Sequence, residues 1–180
     1  EVEVDHDHFN TFVIRPAINR IDYWVPLDLS GIHQKAVTVF LKEFQGYELF
    51  LDNVKLANSF DYEYDEPHRP AFHFSPPYGW MNDPNGMVYY DGVYHLAYQF
   101  NPLGTRWQNM SWGHATSKDL VTWEHQPVAL YPDTLGAIFS GSAVVDIHNT
   151  TGLQSGEEKT LLAYFTHAGP NGQVQSLAYS

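Results

Sequence analysis

Residues 87–100, MVYYDGVYHLAYQF, decide the fold class of this chain. They consist of two runs rich in aromatic and β-branched side chains, residues 87–90 and 93–100, joined by Asp91-Gly92. Asp-Gly suits a two-residue turn in which both residues have positive φ, and such a turn joins two antiparallel strands. The segment therefore predicts a β-hairpin.

Runs of the same kind continue after the hairpin. Residues 112–117 and 121–124 predict two more short strands, which makes four in succession. Successive four-stranded antiparallel sheets are typical of a β-propeller, and no segment indicates a helix of usual length. Residues 67–180 are thus predicted to form the first blades of a propeller. A second blade is predicted from three strands, at residues 138–146, 160–167 and 174–180.

Residues 1–66 have a different pattern, in which apolar and polar residues alternate. This period of two is typical of half-buried antiparallel strands, so the region predicts a small β-sandwich-like module. Glu66-Pro67-His68-Arg69-Pro70 is the predicted boundary, because two prolines do not fit a sheet interior. The module either braces its neighbour or binds polysaccharide. Bracing is favoured, since Tyr62 and Tyr64 are the only candidates for a sugar platform. The runs that carry the prediction are residues 9–15, 36–44, 47–51 and, after Asp52-Asn53, 54–57.

Composition limits the classes of partner. The formal net charge is -12 and only 9 Lys and Arg are present, which argues against nucleic acid and fits a neutral substrate. No apolar run approaches the roughly 18 residues that a membrane span needs. The chain has no cysteine, so thiols and disulfides contribute nothing. Asp5-His6-Asp7-His8 is interpreted as an acidic terminus, and neither a metal site nor a cofactor is predicted.

The segment most indicative of chemistry is Trp80-Met81-Asn82-Asp83-Pro84-Asn85-Gly86. Asn, Asp, Pro and Gly are turn formers, so the segment predicts a tight turn that presents Asp83 beside aromatic and amide side chains. On these residues alone, a purely structural turn is the favoured interpretation. Three further segments change that balance: Tyr98-Gln99-Phe100-Asn101-Pro102, Trp107-Gln108-Asn109-Met110-Ser111-Trp112-Gly113-His114-Ala115 and Phe139-Ser140-Gly141-Ser142.

In this order the segments resemble glycoside hydrolase family 32, which includes invertases, levanases and inulinases. The resemblance extends from about Arg69 to Ser180 and implies a five-bladed β-propeller. It also implies a retaining enzyme, without a cofactor, that cleaves β-fructofuranosyl linkages in sucrose, levan or inulin. Family members of this kind in bacteria act outside the cytoplasm, so an extracytoplasmic location is expected.

The resemblance assigns roles to six residues. Asp83 matches the catalytic nucleophile, and Asn82 and Gln99 match residues that hydrogen-bond the fructosyl unit. Trp107 matches an aromatic wall of the pocket, with Trp112 a weaker candidate for the same role. Phe139 and Ser140 match a pair that lines the pocket. By contrast, Trp123 in the Lys118–Trp123 segment is interpreted as blade packing.

The resemblance also implies two motifs that these 180 residues lack, a Glu-Cys segment with the acid/base and an Arg-Asp-Pro segment. Glu157 and Glu158 are rejected as substitutes because they lie in a polar hairpin loop. The 180-residue chain is therefore expected to be part of a longer enzyme and inactive alone. The alternative is a noncatalytic fructan-binding or structural fragment.

Overall fold

A computed structural model describes residues 2–4, 8–10, 13–14, 24–27, 38–39, 55, 57 and 64–180. All regular secondary structure in these residues is β-strand. The strands are β1 (Val2–Val4), β2 (His8–Asn10), β3 (Thr38–Val39), β4 (Trp80–Tyr90), β5 (Val93–Asn101), β6 (Ser111–Ser117), β7 (Glu124–Leu130), β8 (Ala137–Val145), β9 (Leu161–Gly169) and β10 (Gly172–Tyr179).

These strands form three sheets. The first has the order β2-β1-β3, the second β4-β5-β6-β7 and the third β8-β9-β10. The second and third sheets follow chain order, as expected for successive blades. The chain divides into two compact units. The first comprises Glu1–Trp80 with Asn101–Asn109, and the second comprises Met81–Phe100 with Met110–Ser180.

The predicted hairpin is confirmed. Strands β4 and β5 are hydrogen-bonded neighbours, and Asp91 and Gly92 between them have φ values of 45° and 80°. Two consecutive residues in the left-handed region match the turn geometry for which Asp-Gly is suited. The propeller-like succession of a four-stranded and a three-stranded sheet is likewise present.

The prediction of a tight turn around Asp83 is wrong. Residues 82–86 belong to β4, which runs from Trp80 to Tyr90, and residues 82–85 have no positive φ. Pro84 is tolerated there because β4 is an edge strand, where a missing N–H breaks no ladder on the open side. Gly86, with φ of 54°, is the one strong departure from strand geometry in this segment.

The strand predicted at residues 121–124 is also wrong, since β7 begins only at Glu124. Side-chain oxygens hold the preceding backbone in a loop. The Asp119 carboxylate accepts hydrogen bonds from the Val121 and Thr122 N–H groups, at 2.8 and 2.7 Å. The bonds from Thr122 and then Val121 lower the pKa of Asp119 to about 2. Such local side-chain bonds compete with sheet pairing.

Part of the N-terminal prediction lies outside the described residues. β2 overlaps the predicted run at residues 9–15 and β3 that at 36–44, whereas 47–51, Asp5–Asp7 and Tyr62 are not described. Of the run at 54–57, the structure describes Lys55 and Ala57, and neither is assigned to a strand. The bounds of the predicted module, 1–66, stay a prediction.

Arg69 organises the segment that precedes β4. Its guanidinium donates two hydrogen bonds to the Glu66 carboxylate, at 2.6 and 2.7 Å, and another to the Pro76 carbonyl at 2.8 Å. The bond from Arg69 lowers the pKa of Glu66 to about 2. The same guanidinium lies 4.0 Å from the centre of the Tyr64 ring. One face of Tyr64 is therefore occupied by a cation, which weakens its candidacy as a sugar platform.

The hydrophobic core of the second unit lies between its two sheets. Ala97 and Trp112 from the four-stranded sheet pack against Ile138 and Phe165 from the three-stranded sheet. The Trp112 and Phe165 rings meet edge to face, 5.9 Å between centroids. Full burial of a side chain such as Phe165 contributes about 2–3 kcal/mol, so this contact fixes the two sheets as one unit.

Candidate active site

Asp83 lies on β4, and its side chain is exposed. One oxygen of its carboxylate, Oδ2, accepts a hydrogen bond of 3.0 Å from the Ser140 hydroxyl. Asn85 donates from its side chain to the Asp83 backbone carbonyl at 3.2 Å. An exposed carboxylate that accepts a bond from a single hydroxyl is sterically accessible to an electrophile.

Ser140 reaches Asp83 because it is the extra residue of a β-bulge in β8. Phe139 pairs with Thr166 and Gly141 pairs with Phe165, two consecutive residues of β9, so Ser140 has no partner in that register. A bulge of this kind redirects a side chain out of the regular alternation. Position 141 requires glycine, since a Cβ atom there would lie 1.9 Å from the Tyr164 carbonyl oxygen.

Gln99 lies on β5 and is 3% exposed. Its Nε2 atom is buried and has no hydrogen-bond partner among the residues that the structure describes. The Oδ1 atoms of Asn82 and Asn85 are also buried and also have no hydrogen-bond partner among these residues. A buried polar atom without a partner costs about 1–3 kcal/mol, so these three amide atoms are candidates for hydrogen bonds with ordered water or a polar ligand.

The structure brings together some of the predicted site residues. The Ser140 hydroxyl contacts Asp83, and Phe139 precedes Ser140 in the same bulge. Trp107 lies in the loop after β5 within the first unit and is 57% exposed. The role of Trp107 as a pocket wall stays a prediction.

The structure changes the roles expected for two residues, Trp112 and Asn85. Trp112 is 2% exposed and belongs to the core, so the idea that it lines the pocket is wrong. Asn85 was not assigned a role, although it contacts the Asp83 backbone and carries an unpaired buried oxygen. No signal in the sequence indicated this role, because the segment was predicted as a turn and only the strand places residues two apart on one face.

A histidine pair lies on β5 and β6. Nδ1 of His95 and Nε2 of His114 are 3.1 Å apart, and the two rings are stacked. Burial, followed by the nearby His95, lowers the pKa of His114 to about 4, and burial lowers that of His95. Both rings are therefore neutral near neutral pH, and an N–H group of one ring donates a hydrogen bond to a nitrogen of the other.

The described residues also bear on metal binding and membrane crossing. No group of three or more His, Asp or Glu side chains is arranged to hold a metal ion in this part of the chain. Across the same residues, the structure contains no apolar helix of membrane-spanning length.

Comparison with known proteins decides the family. A family profile described as "Glycosyl hydrolases family 32 N-terminal domain" matches residues 73–180. The chain belongs to glycoside hydrolase family 32.

Individual members of family 32 support this membership. A levanase of Bacillus subtilis is 65% identical over 117 residues, which cover 65% of this chain and 17% of the levanase. An extracellular exo-inulinase of Aspergillus niger is 47% identical over 143 residues, or 69% of this chain and 26% of that enzyme. The chain thus spans about a quarter or less of the length of these family 32 relatives.

A solved family 32 structure confirms the fold. The β-fructofuranosidase of Schwanniomyces occidentalis, complexed with fructosyl-erythritol, superposes with a TM-score of 0.61 at 42% identity. The match covers 66% of this chain and 24% of the enzyme. The prediction of an all-β chain that contains the first blades of the family's five-bladed β-propeller is confirmed.

Proposed function

We propose that this chain is the nucleophile-bearing part of a retaining glycosidase that cleaves β-fructofuranosyl linkages in levan, inulin or sucrose. The relatives support the substrate class, since they are a levanase, an extracellular exo-inulinase and a β-fructofuranosidase. The exo-inulinase is an extracellular enzyme, which supports an extracytoplasmic location for this protein. A fructose-containing oligosaccharide or polysaccharide is the proposed partner.

The contact between Ser140 and Asp83 is the observation that carries the proposal. It connects two segments that the resemblance assigns to one pocket, although they are 57 residues apart in the chain. The hydroxyl donates to one carboxylate oxygen and leaves the other oxygen of Asp83 for attack. A nucleophilic carboxylate needs this combination of an oriented donor and an open side.

The unpaired amide atoms support a sugar as the ligand. Each fructosyl hydroxyl is both a donor and an acceptor, so it satisfies a buried N–H or C=O equally well. Gln99 offers an N–H group and Asn82 an oxygen, both buried and both unpaired among the described residues. We assign Asn82 and Gln99 to hydrogen bonds with the fructosyl unit, and Phe139 and Trp107 to its apolar faces.

In the proposed reaction, Asp83 attacks the anomeric carbon while the glycosidic C–O bond breaks. A second carboxyl group protonates the departing oxygen, and the fructosyl unit is left bound to Asp83 as an ester. The second group, now a carboxylate, removes a proton from water, which attacks the same carbon and releases fructose with retained configuration.

The second carboxyl group is proposed to lie outside these 180 residues. The chain contains no cysteine and so no Glu-Cys segment of the kind that the family uses. We therefore assign hydrolysis to the complete gene product and expect the 180-residue chain alone to release no sugar. Binding of fructan without cleavage by the complete gene product would favour the noncatalytic alternative.

The test is Asp83→Asn in the complete gene product. We expect sugar release from levan, inulin and sucrose to fall on the order of 10³-fold or more, because an amide cannot form the covalent intermediate. The melting temperature should stay close to that of the wild type. Asp91→Asn is the matched control, since Asp91 occupies a turn with φ of 45°, which Asn also adopts readily. Near-normal turnover by Asp83→Asn would show that Asp83 is only a strand residue.

A further inference from the structure

The indole of Trp112 packs directly on the strand that carries Asp83. A Cβ atom at Gly86, three residues after Asp83, would lie only 2.8 Å from carbon Cζ3 of the Trp112 ring. The ring and the β4 backbone are therefore in contact with nothing between them. Because Trp112 is only 2% exposed and its ring also packs against Phe165, the indole is held in place.

The same indole holds the bulge that carries Ser140. Nε1–H of Trp112 donates a hydrogen bond of 3.1 Å to the Phe139 carbonyl oxygen. That carbonyl belongs to the peptide group that joins Phe139 to Ser140. In a bulge the regular ladder is interrupted, so the peptide is less constrained by its neighbours than in a regular strand. The indole bond is an additional constraint on this peptide.

The residue after Ser140 in the bulge is also linked to the Trp112 side chain. Gly141 pairs with Phe165, and the Phe165 ring meets the Trp112 ring edge to face. Trp112 therefore contacts groups before and after Ser140 in the bulge, and it contacts the β4 backbone at Gly86, three residues after Asp83. The Trp112 indole thus contacts the backbone of β4, which carries Asp83, and the backbone of β8, which carries Ser140.

We propose that Trp112 is a positioning residue for the nucleophile, acting through the Ser140 bulge; this inference rests on the proposed function of Asp83. The indole sets the distance between β4 and β8 at which the Ser140 hydroxyl reaches the Asp83 carboxylate. Loss of the indole N–H removes one hydrogen bond from the Phe139 peptide and lets the bulge shift, and the Ser140 hydroxyl then no longer orients the attacking oxygen. A core residue that serves packing alone lacks this dependence on Ser140.

The experiment is a double-mutant cycle of Trp112→Phe and Ser140→Ala in the complete gene product. Trp112→Phe alone should lower kcat by roughly tenfold to a hundredfold, the scale of a small misplacement of a reacting group. KM should change by less than about threefold, because the lost interaction acts mainly in the transition state. In the Ser140→Ala background, Trp112→Phe should change kcat by less than about twofold.

Trp123→Phe is the control, since it removes an indole N–H from a half-buried tryptophan of the same unit that lies just before β7 rather than in β6. It should leave kcat within about twofold of the wild type. Equal losses of kcat with and without Ser140 would overturn the proposal, as would an unchanged kcat in Trp112→Phe. If Trp112→Phe does not fold, replacement of Trp112 by 3-benzothienylalanine removes the N–H and keeps the ring shape, and the same outcomes decide.

A structural measurement separates this proposal from the proposed function. In a crystal structure of the Trp112→Phe variant, the Ser140 hydroxyl should no longer lie within hydrogen-bond distance of the Asp83 carboxylate. An unchanged contact would overturn the positioning role even if the complete gene product had no activity. Retained turnover in Asp83→Asn would instead overturn the proposed function, whatever the geometry at Ser140.

Discussion

Two amide side chains on β5 show how hydrogen bonding distinguishes a structural residue from a candidate ligand contact. Asn101 is 1% exposed, and its side chain bonds to the backbone of Leu103 and Arg106 and to Asn109. Gln99, two residues earlier, is equally buried, yet its Nε2 atom has no partner in the described part of the chain. Asn101 therefore stabilises its loop, whereas the unpaired Nε2 of Gln99 is consistent with the proposed hydrogen bond to a fructosyl unit.

The histidine pair gives a residue-scale prediction about pH. The pKa of His114 falls from 6.5 to about 4 on folding, chiefly through burial. Between these two values the unfolded chain binds a proton that the folded chain does not, so protonation favours unfolding. Stability should thus be unaffected by this group above about pH 6.5 and should decrease as the pH falls toward about 4.

The measurement compares the wild type with His114→Gln, in which the side chain keeps a hydrogen-bonding group beside His95. Between about pH 7 and about pH 4.5, the melting temperature of the wild-type gene product should fall several degrees more than that of the variant. Equal slopes in the two proteins would show that His114 does not contribute to acid sensitivity.

At the scale of single elements, the bulge of β8 is the feature that sequence periodicity does not reveal. Phe139-Ser140-Gly141 reads as part of an ordinary strand, and the resemblance alone assigned the pair to a pocket. The register against β9 shows why Ser140 departs from the alternation. The extra residue depends on the partner strand, and a partner strand is not visible in local sequence.

The bulge predicts the effect of Gly141→Ala. The new methyl group would lie 1.9 Å from the Tyr164 carbonyl oxygen, so β8 and β9 must separate locally. We expect a loss of about 3 kcal/mol in the free energy of unfolding and at least about a tenfold loss of kcat. Ser142→Ala, one residue further along and exposed, is the control and should alter neither quantity appreciably. Wild-type stability and turnover in Gly141→Ala would contradict the tight pairing.

In two other segments, contacts in the folded chain override the local sequence signal. Apolar and β-branched residues at 121–122 suggested a strand, but the Asp119 carboxylate takes both of their N–H groups. Asn82 to Gly86 suggested a turn, but the segment extends as an edge strand. Turn-forming composition is a local preference, and pairing with β5 along one edge outweighs it.

At the scale of the whole molecule, the three-stranded sheet has one apolar face that is largely uncovered. The register places Tyr164 beside Leu177, and Leu162 between Val144 and Tyr179, on the same face. Leu162 is buried, whereas the other four side chains are 43% to 61% exposed. Contiguous exposed apolar side chains next to the open edge of β10 favour association with another sheet.

We therefore expect the 180-residue chain, when produced alone, to self-associate. Light scattering after size exclusion should show species larger than 20.6 kDa whose share grows with concentration. Replacing Leu177 and Tyr179 together by lysine should reduce this association, because charge on the face opposes sheet contact. His148→Lys places a charge in an exposed loop and should leave association unchanged. A monomer that melts cooperatively at every concentration would contradict the prediction.

Local sequence determined the elements whose causes are local. The Asp-Gly hairpin follows from backbone preferences of two residues, and the succession of strands follows from short apolar runs and turn residues. The order of the quoted motifs likewise indicated family 32, and the resemblance to that family assigned Asp83 as the nucleophile.

Tertiary structure alone decided how the site is assembled. The Ser140–Asp83 bond joins strands from two sheets, and the Trp112 indole reaches Phe139 from 27 residues away. Neither contact follows from periodicity, because it depends on the separation of two packed sheets and on one unpaired residue in a register. The sequence thus specifies the residue types of the site, whereas the distances between these residues result from the packing of the core.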